Sequence, residues 1–170
     1  MSGSGAQLYK EDFVRWTEQQ SDALREAARI GTNLPLDWEN LAGEIESLGA
    51  LQRRELRSRI AGILEHLLKL EHSPAIDPRR GWIETIARQR SEIESLFNDS
   101  PSLRRDVARI ITEEAPRVAR LTTCVLRLHG EDVGNLAVPN YTEEQVLGDW
   151  LPGEAPLPAN GANGEREEPA

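Results

Sequence analysis

The chain has 170 residues, of which 38% are AVILMFWYC and 29% are charged, and it carries a net charge of −9. That is enough for one domain with its own core, and it excludes a fibre, a collagen and a wholly disordered chain. The single cysteine, Cys124, excludes a disulfide scaffold and a cysteine zinc site, and the acidity disfavours a nucleic acid partner, which would need a basic face to displace counterions.

Residues 1–8, rich in Gly and Ser, are expected to form a disordered tail. From about Tyr9 to Ile30, the residues Tyr9, Phe13, Trp16, Gln20, Leu24 and Ala27 recur three and four apart, the signature of one face of a helix. Gly31 and Pro35 break the pattern, and Asp37 is placed to cap a second helix. Its stripe of Leu41, Ile45, Leu48, Leu56, Ile60, Ile63, Leu64, Leu67 and Leu70 continues to Pro74, with a kink expected near Gly49. About 35 residues at 1.5 Å each would make a rod of roughly 50 Å.

A third helix carries Trp82, Ile86, Gln89, Ile93, Leu96 and Phe97 and stops at Asp99-Ser100-Pro101. The fourth presents Leu103, Val107, Ile110, Ile111, Val118, Leu121, Val125 and Leu128, with Pro116 expected to kink or split it. Thr142 and Gln145 form a capping box for a short last helix through about Trp150. Residues 153–170 are acidic and have no hydrophobic period, so a disordered tail is expected there. The fold class is therefore all-α: a helical domain over 9–152, built as an antiparallel bundle of four main helices, one of them long, plus the short C-terminal one. Its core should contain Phe13, Trp16, Leu48, Leu67, Trp82, Ile86 and Ile93. No run is long and apolar enough to span a bilayer and the opening residues lack a signal peptide's apolar core, so no membrane association and a cytoplasmic setting are expected.

Several blocks occur in a recognisable order: Tyr9-x-x-Asp12-Phe13-x-x-Trp16-x-x-x-Gln20, Asn40-Leu41-x-x-Glu44-Ile45-Glu46-Ser47-Leu48-Gly49, His66-Leu67-Leu68-Lys69, Trp82-x-x-Thr85-Ile86-x-x-Gln89-Arg90 and Ser100-Pro101-Ser102-Leu103. Together they resemble the bacterial domain of unknown function family twenty-nine, over about Tyr9 to Pro152. The resemblance implies a small, mainly helical protein and brings no established activity with it. The chain departs from the family's pattern in a longer, Pro-containing first turn, in Ala115-Pro116 and in Asn140 before Tyr141.

Counting residues about each interhelical turn brings Asp12 towards Arg54, Arg57 and Arg59, and sets Gln89 and Arg90 beside Leu64 and Ile63. Asp12, His66, Gln89 and Arg90 are thus the candidate catalytic residues, with Tyr9, Arg57, Arg59, Glu44 and Trp82 as candidate binding residues. A histidine between Ile63 and Leu70 could titrate as acid, base or ligand, although a bundle histidine with one satisfied hydrogen bond is the commoner outcome. Glu44 borders the apolar stripe, as a general base or as half of a structural pair with an arginine of the fourth helix. No spacing suits a metal, and no metal or cofactor is expected. Cys124 lies in an apolar stretch and reads as a small buried residue.

The absence of any catalytic signature favours a protein-interaction or regulatory module with a protein partner, or a homodimer covering an apolar side. The alternative is an enzyme or small-molecule binder built around His66, Asp12, Gln89 and Arg90.

Overall fold

A computed structural model describes residues 5–153. Among them there is no strand; the helices are α1 (Gly5–Glu11), α2 (Phe13–Ile30), α3 (Trp38–His72), α4 (Arg79–Asp99), α5 (Val107–Leu128) and α6 (Glu143–Leu147), with a 3-10 helix over Pro101–Asp106. Apart from Gly153, the C-terminal tail expected from the sequence lies outside the described residues, as do residues 1–4. Residues 5–8, expected in the N-terminal tail, belong to α1.

The first apolar segment is two helices, because Asp12 adopts an extended backbone (φ −157°) and turns its carboxylate onto the Arg15 N–H at 3.0 Å, capping α2. Gly5 lies beside the side chains of Gln20 and Trp16, so α1 folds back along α2. Tyr9 meets Phe13 and Trp16 edge-on, with ring centroids 5.6 and 4.9 Å away. This rotates the expected face: Phe13 and Trp16 are half-buried beside α1, and Val14, Thr17 and Ser21 are the buried residues of α2.

Helix α3 is the axis of the molecule, about 52 Å long at 1.5 Å per residue. Helix α2 runs antiparallel along its N-terminal half, with ion pairs Arg25–Glu46 and Glu18–Arg53, and α4 runs antiparallel along its C-terminal half. The two therefore follow one another end to end along α3. Helix α5 rises in the same sense as α3, since Asp106 pairs with Arg53 and Glu113 with Arg57. It continues through Pro116 without splitting.

The core lies in the C-terminal half of this assembly. Leu56, Ile60, Ile63, Leu64, Leu67, Ile86, Ile93, Leu103 and Ile110 are all at most 2% exposed, and Trp82, Tyr141, Leu147, Trp150 and Leu151 pack around them. The N-terminal half of α3 buries only Ala42 and Gly49. Leu48, expected in the core, is 43% exposed. The hairpin of α2 and α3 thus extends from the core as an arm, and from Trp38 to Leu51 it runs about 21 Å along the helix.

The helix is uninterrupted at Gly49, and the glycine serves close approach. A Cβ there would lie 2.3 Å from Thr17 Oγ1, a hydroxyl already donating to the Val14 carbonyl at 2.7 Å. Gly49→Ala should therefore lose stability, by about 1 kcal/mol net of its gain in helix propensity. Adding Thr17→Ala should restore the urea midpoint, since the Thr17 Cβ would remain at an ordinary 3.4 Å.

Candidate functional site

Asp12 sits at the joint where arm and core meet. Besides Arg15, its carboxylate accepts from the Ser102 N–H at 2.8 Å and the Ser102 hydroxyl at 2.9 Å. Reciprocally, Ser100 Oγ accepts from the Val14 N–H at 3.2 Å and donates to Gln52 Oε1 at 2.7 Å. Each segment thus caps the other: Asp12 holds the start of the 3-10 helix, and Ser100 holds the start of α2. Both residues are buried, so this is a fully bonded structural junction.

The other expected site residues lie elsewhere. Arg59 donates to Gln89 Oε1 at 3.1 Å and pairs with Glu55 and Glu92, which does join α3 to α4, though about a turn from the counted register. His66 Nδ1 is 2.8 Å from its own helix's Gly62 carbonyl. From the level of Gln52, where Asp12's junction lies, to His66 is 14 residues of continuous helix, or about 21 Å. Asp12 and His66 therefore cannot share a reacting atom or one hydrogen-bond network, and the four candidates do not meet.

Arg90 reaches across to the C-terminal segment, donating to the carbonyls of Val146, Gln145 and Trp150 at 3.0, 2.9 and 2.8 Å. Burial lowers its pKa, opposed by Asp149. Tyr141 supports the same segment: its hydroxyl donates to Glu71 at 2.6 Å, and burial followed by that contact pushes the phenol's pKa far up. Arg90→Met should cost about 1–2 kcal/mol and speed amide hydrogen exchange at Val146 more than at Ile93, as expected if the arginine clamps this segment.

Arg57 joins a network on the other side of α3, donating to Glu114 at 2.7 Å and to Glu113. Glu114 is buried, which raises its pKa, but the hydrogen bonds from Arg57 and Arg117 outweigh burial and leave it below the ordinary carboxylate value. A carboxylate with a lower pKa folded than unfolded stabilises the fold above its unfolded pKa, and loses that contribution as pH falls through the folded value. The stability difference between the parent chain and Glu114→Gln should accordingly be largest above about pH 5 and shrink in more acid solution, as urea midpoints would show. Nothing in the sequence pattern marked Glu114, because Glu113 beside it carries the same charge and only the turn of the helix separates a buried carboxylate from an exposed one.

Trp82 is half-buried over a cleft of about 450 Å3 with Lys69, Val125, His129 and Glu131, and one Glu131 carboxylate oxygen is buried without a hydrogen-bond partner. Cys124, expected to be buried, is exposed near Arg120 and Arg127. Among the described residues no group of three or more His, Cys, Asp or Glu could hold a metal ion, and no helix is long and apolar enough to cross a membrane.

What remains is the arm's surface. Leu41, Glu44, Leu48 and Leu51 follow one another at 3-4-3 spacing, so they form one narrow stripe along α3. The three leucines are 41, 43 and 55% exposed. Glu44, expected to border the core and pair with α5, is exposed and has no hydrogen bond or ion pair among the described residues, because α5 packs only against the half of α3 beyond Arg53. Tyr9, half-exposed against the first turns of α2, lies at the base of the arm near Gln52 and Asp99.

Compared with known proteins, residues 8–151 match the model of the family described as "Domain of unknown function DUF29". The fold resembles that of an alpha-helical protein of unknown function from Rhodospirillum rubrum, at 24% sequence identity and a TM-score of 0.67, covering 83% of this chain and 89% of that one. A comparison with curated proteins returned no match.

Proposed function

The chain belongs to the DUF29 family, and we propose that it is a protein-interaction or regulatory module whose working surface is the apolar face of the α2–α3 arm. The observation that carries this is the distribution of exposed apolar side chains. Of the twelve large ones among the described residues, six (Ile30, Leu34, Leu36, Leu41, Leu48 and Leu51) lie on the arm or its turn, and a seventh, Tyr9, lies at its base. Two helices side by side cannot cover each other on all faces, and here the arm's buried residues are small, Thr17 and Ser21 of α2 and Ala42 and Gly49 of α3, with Leu24 and Ile45 only partly buried. A concentration of exposed apolar residues with a polar surround marks an interaction surface.

The polar residues that could have supported an enzyme are engaged in holding the fold: Asp12 at the joint, Arg59 with Gln89 between helices, Arg90 on the C-terminal segment. The proposed setting is the cytoplasm of a bacterium, where an exposed, unpaired Cys124 stays reduced. A photo-reactive phenylalanine analogue at position 51 should give a discrete cross-linked product in the source cells, and the same analogue at exposed position 128, on the core, should not. Equal cross-linking from both positions, or none from position 51, would remove the proposal's basis.

A further inference from the structure

We infer that the arm's stripe is built to receive a basic amphipathic helix of another protein, with Leu41, Leu48 and Leu51 as the apolar seat and Glu44 as the residue that selects a Lys or Arg opposite it. This rests on the reading of the arm as an interaction surface and names the chemistry of its occupant. The 3-4-3 spacing is that of a coiled-coil seam, and the eleven residues from Leu41 to Leu51 span about 15 Å, or nearly three turns of a docked helix. Glu44 occupies a seam position where an apolar residue would continue the stripe. A lone charged seam residue loses affinity unless it is matched, and when matched it fixes register and partner.

The charge around the stripe points the same way. Residues 5–51 carry nine acids against four bases, and residues 37–52 carry no base at all. Arg25 is already paired with Glu46, and Arg29 with Glu26. Glu39 and Glu44 have no ion pair among the described residues, although Arg25 is close enough to feel Glu39 and the exposed Arg54 follows Leu51 by one turn, so the field is negative beside Leu41 and Leu48. A second copy of this chain fits poorly. Paired in parallel, two Glu44 side chains would face each other, and like charges in an interface are repulsive; only an antiparallel pairing centred near Gly49, with the exposed Arg54 of each copy opposite Glu44 of the other, would relieve this.

The test uses the full chain and two synthetic 18-residue helical peptides with leucine at the seam positions, one with lysine and one with glutamate at the remaining positions. In amide chemical-shift titrations the leucine–lysine peptide should shift residues 38–52 in particular, and the leucine–glutamate peptide should not bind. Glu39→Gln with Glu44→Gln should weaken the lysine peptide by about tenfold. Equal binding of both peptides, or lysine-peptide shifts scattered over other acidic surfaces such as Glu113, would overturn the inference. Light scattering that gives twice the 19.0 kDa chain mass, reverting to the single mass in Leu48→Glu, would also overturn it in favour of a second copy, while leaving the arm's role as an interaction surface standing. Failure of that broader role would show instead as no peptide binding, no dimer and no cross-link from position 51.

Discussion

Alanine in place of Ile86 will destabilise the fold by about 2–5 kcal/mol, the range for deleting buried methyl groups whose surroundings collapse only partly. Alanine in place of Leu48 will cost less than about 1 kcal/mol, although both residues sit on apolar stripes of comparable regularity. The structural difference is plain. Ile86 is 1% exposed among Ile60, Ile63 and Leu67 of the cluster, whereas Leu48 is 43% exposed on the arm. Urea denaturation of the two variants beside the parent chain measures this contrast. A loss at Leu48 equal to that at Ile86 would mean that the arm's stripe is buried within the chain.

Asp12→Ala is the second large effect, at about 2–4 kcal/mol. It removes the cap of α2, worth about 0.5–2 kcal/mol, and strands the Ser102 N–H and hydroxyl, two donors now held at 2.8 and 2.9 Å. Its signature should be local as well as global. Amide exchange at Arg15 and Ser102, the two N–H groups that Asp12 holds, should accelerate beyond what the lost global stability explains, because the joint would keep only the Ser100 cap on Val14. Asp12→Asn, which keeps acceptor oxygen at the same place, should recover part of the loss. Uniform exchange changes across α4 and α5 would indicate that Asp12 has no special place at the joint.

The helices were legible in the sequence because their apolar spacing is regular and their ends carry strong local signals: Asp37 caps α3 through Asn40, and Thr142 with Gln145 makes both bonds of the capping box. Periodicity does not say what an element packs against. Tyr9, Phe13 and Trp16 share a spacing with a buried face, yet α1 folding back on α2 made that face a half-exposed aromatic cluster. Leu41 and Leu48 continue the stripe of Leu56 to Leu70 on paper. In the structure the neighbours that bury the second set, α4 and α5, do not reach the first. Counting about the turns located the first hairpin well, since Thr17 meets Gly49, but Gln89 meets Arg59 about five residues from the counted position. The convergence of Asp12 with His66 required both hairpins to lie side by side, and their arrangement end to end along α3 separates the two.

Polar residues were harder to read than apolar ones. The Asp12 and Ser100-Pro101-Ser102 blocks were each visible, but the bond between them spans 90 residues and depends on two helix ends meeting. Four pairs in the sequence place the acid four residues before the base, the favourable order: Glu11–Arg15, Glu55–Arg59, Glu84–Arg88 and Glu113–Arg117; among the described residues the ion pair forms at Glu55–Arg59. Glu84 and Glu113 instead take arginines four residues before them, Arg80 and Arg109, a choice governed by exposed side-chain geometry worth only tenths of a kcal/mol.

If the arm's apolar stripe serves association and not the fold of its own chain, its leucines can be replaced without loss of the fold. The most direct measurement is the cross-linking yield from position 51 in the Leu41→Glu/Leu48→Glu variant, normalised to folded protein by its urea midpoint. The cross-linked product should disappear while stability stays within about 1 kcal/mol of the parent. A product that persists, or that is lost only in proportion to unfolding, would contradict that role of the stripe.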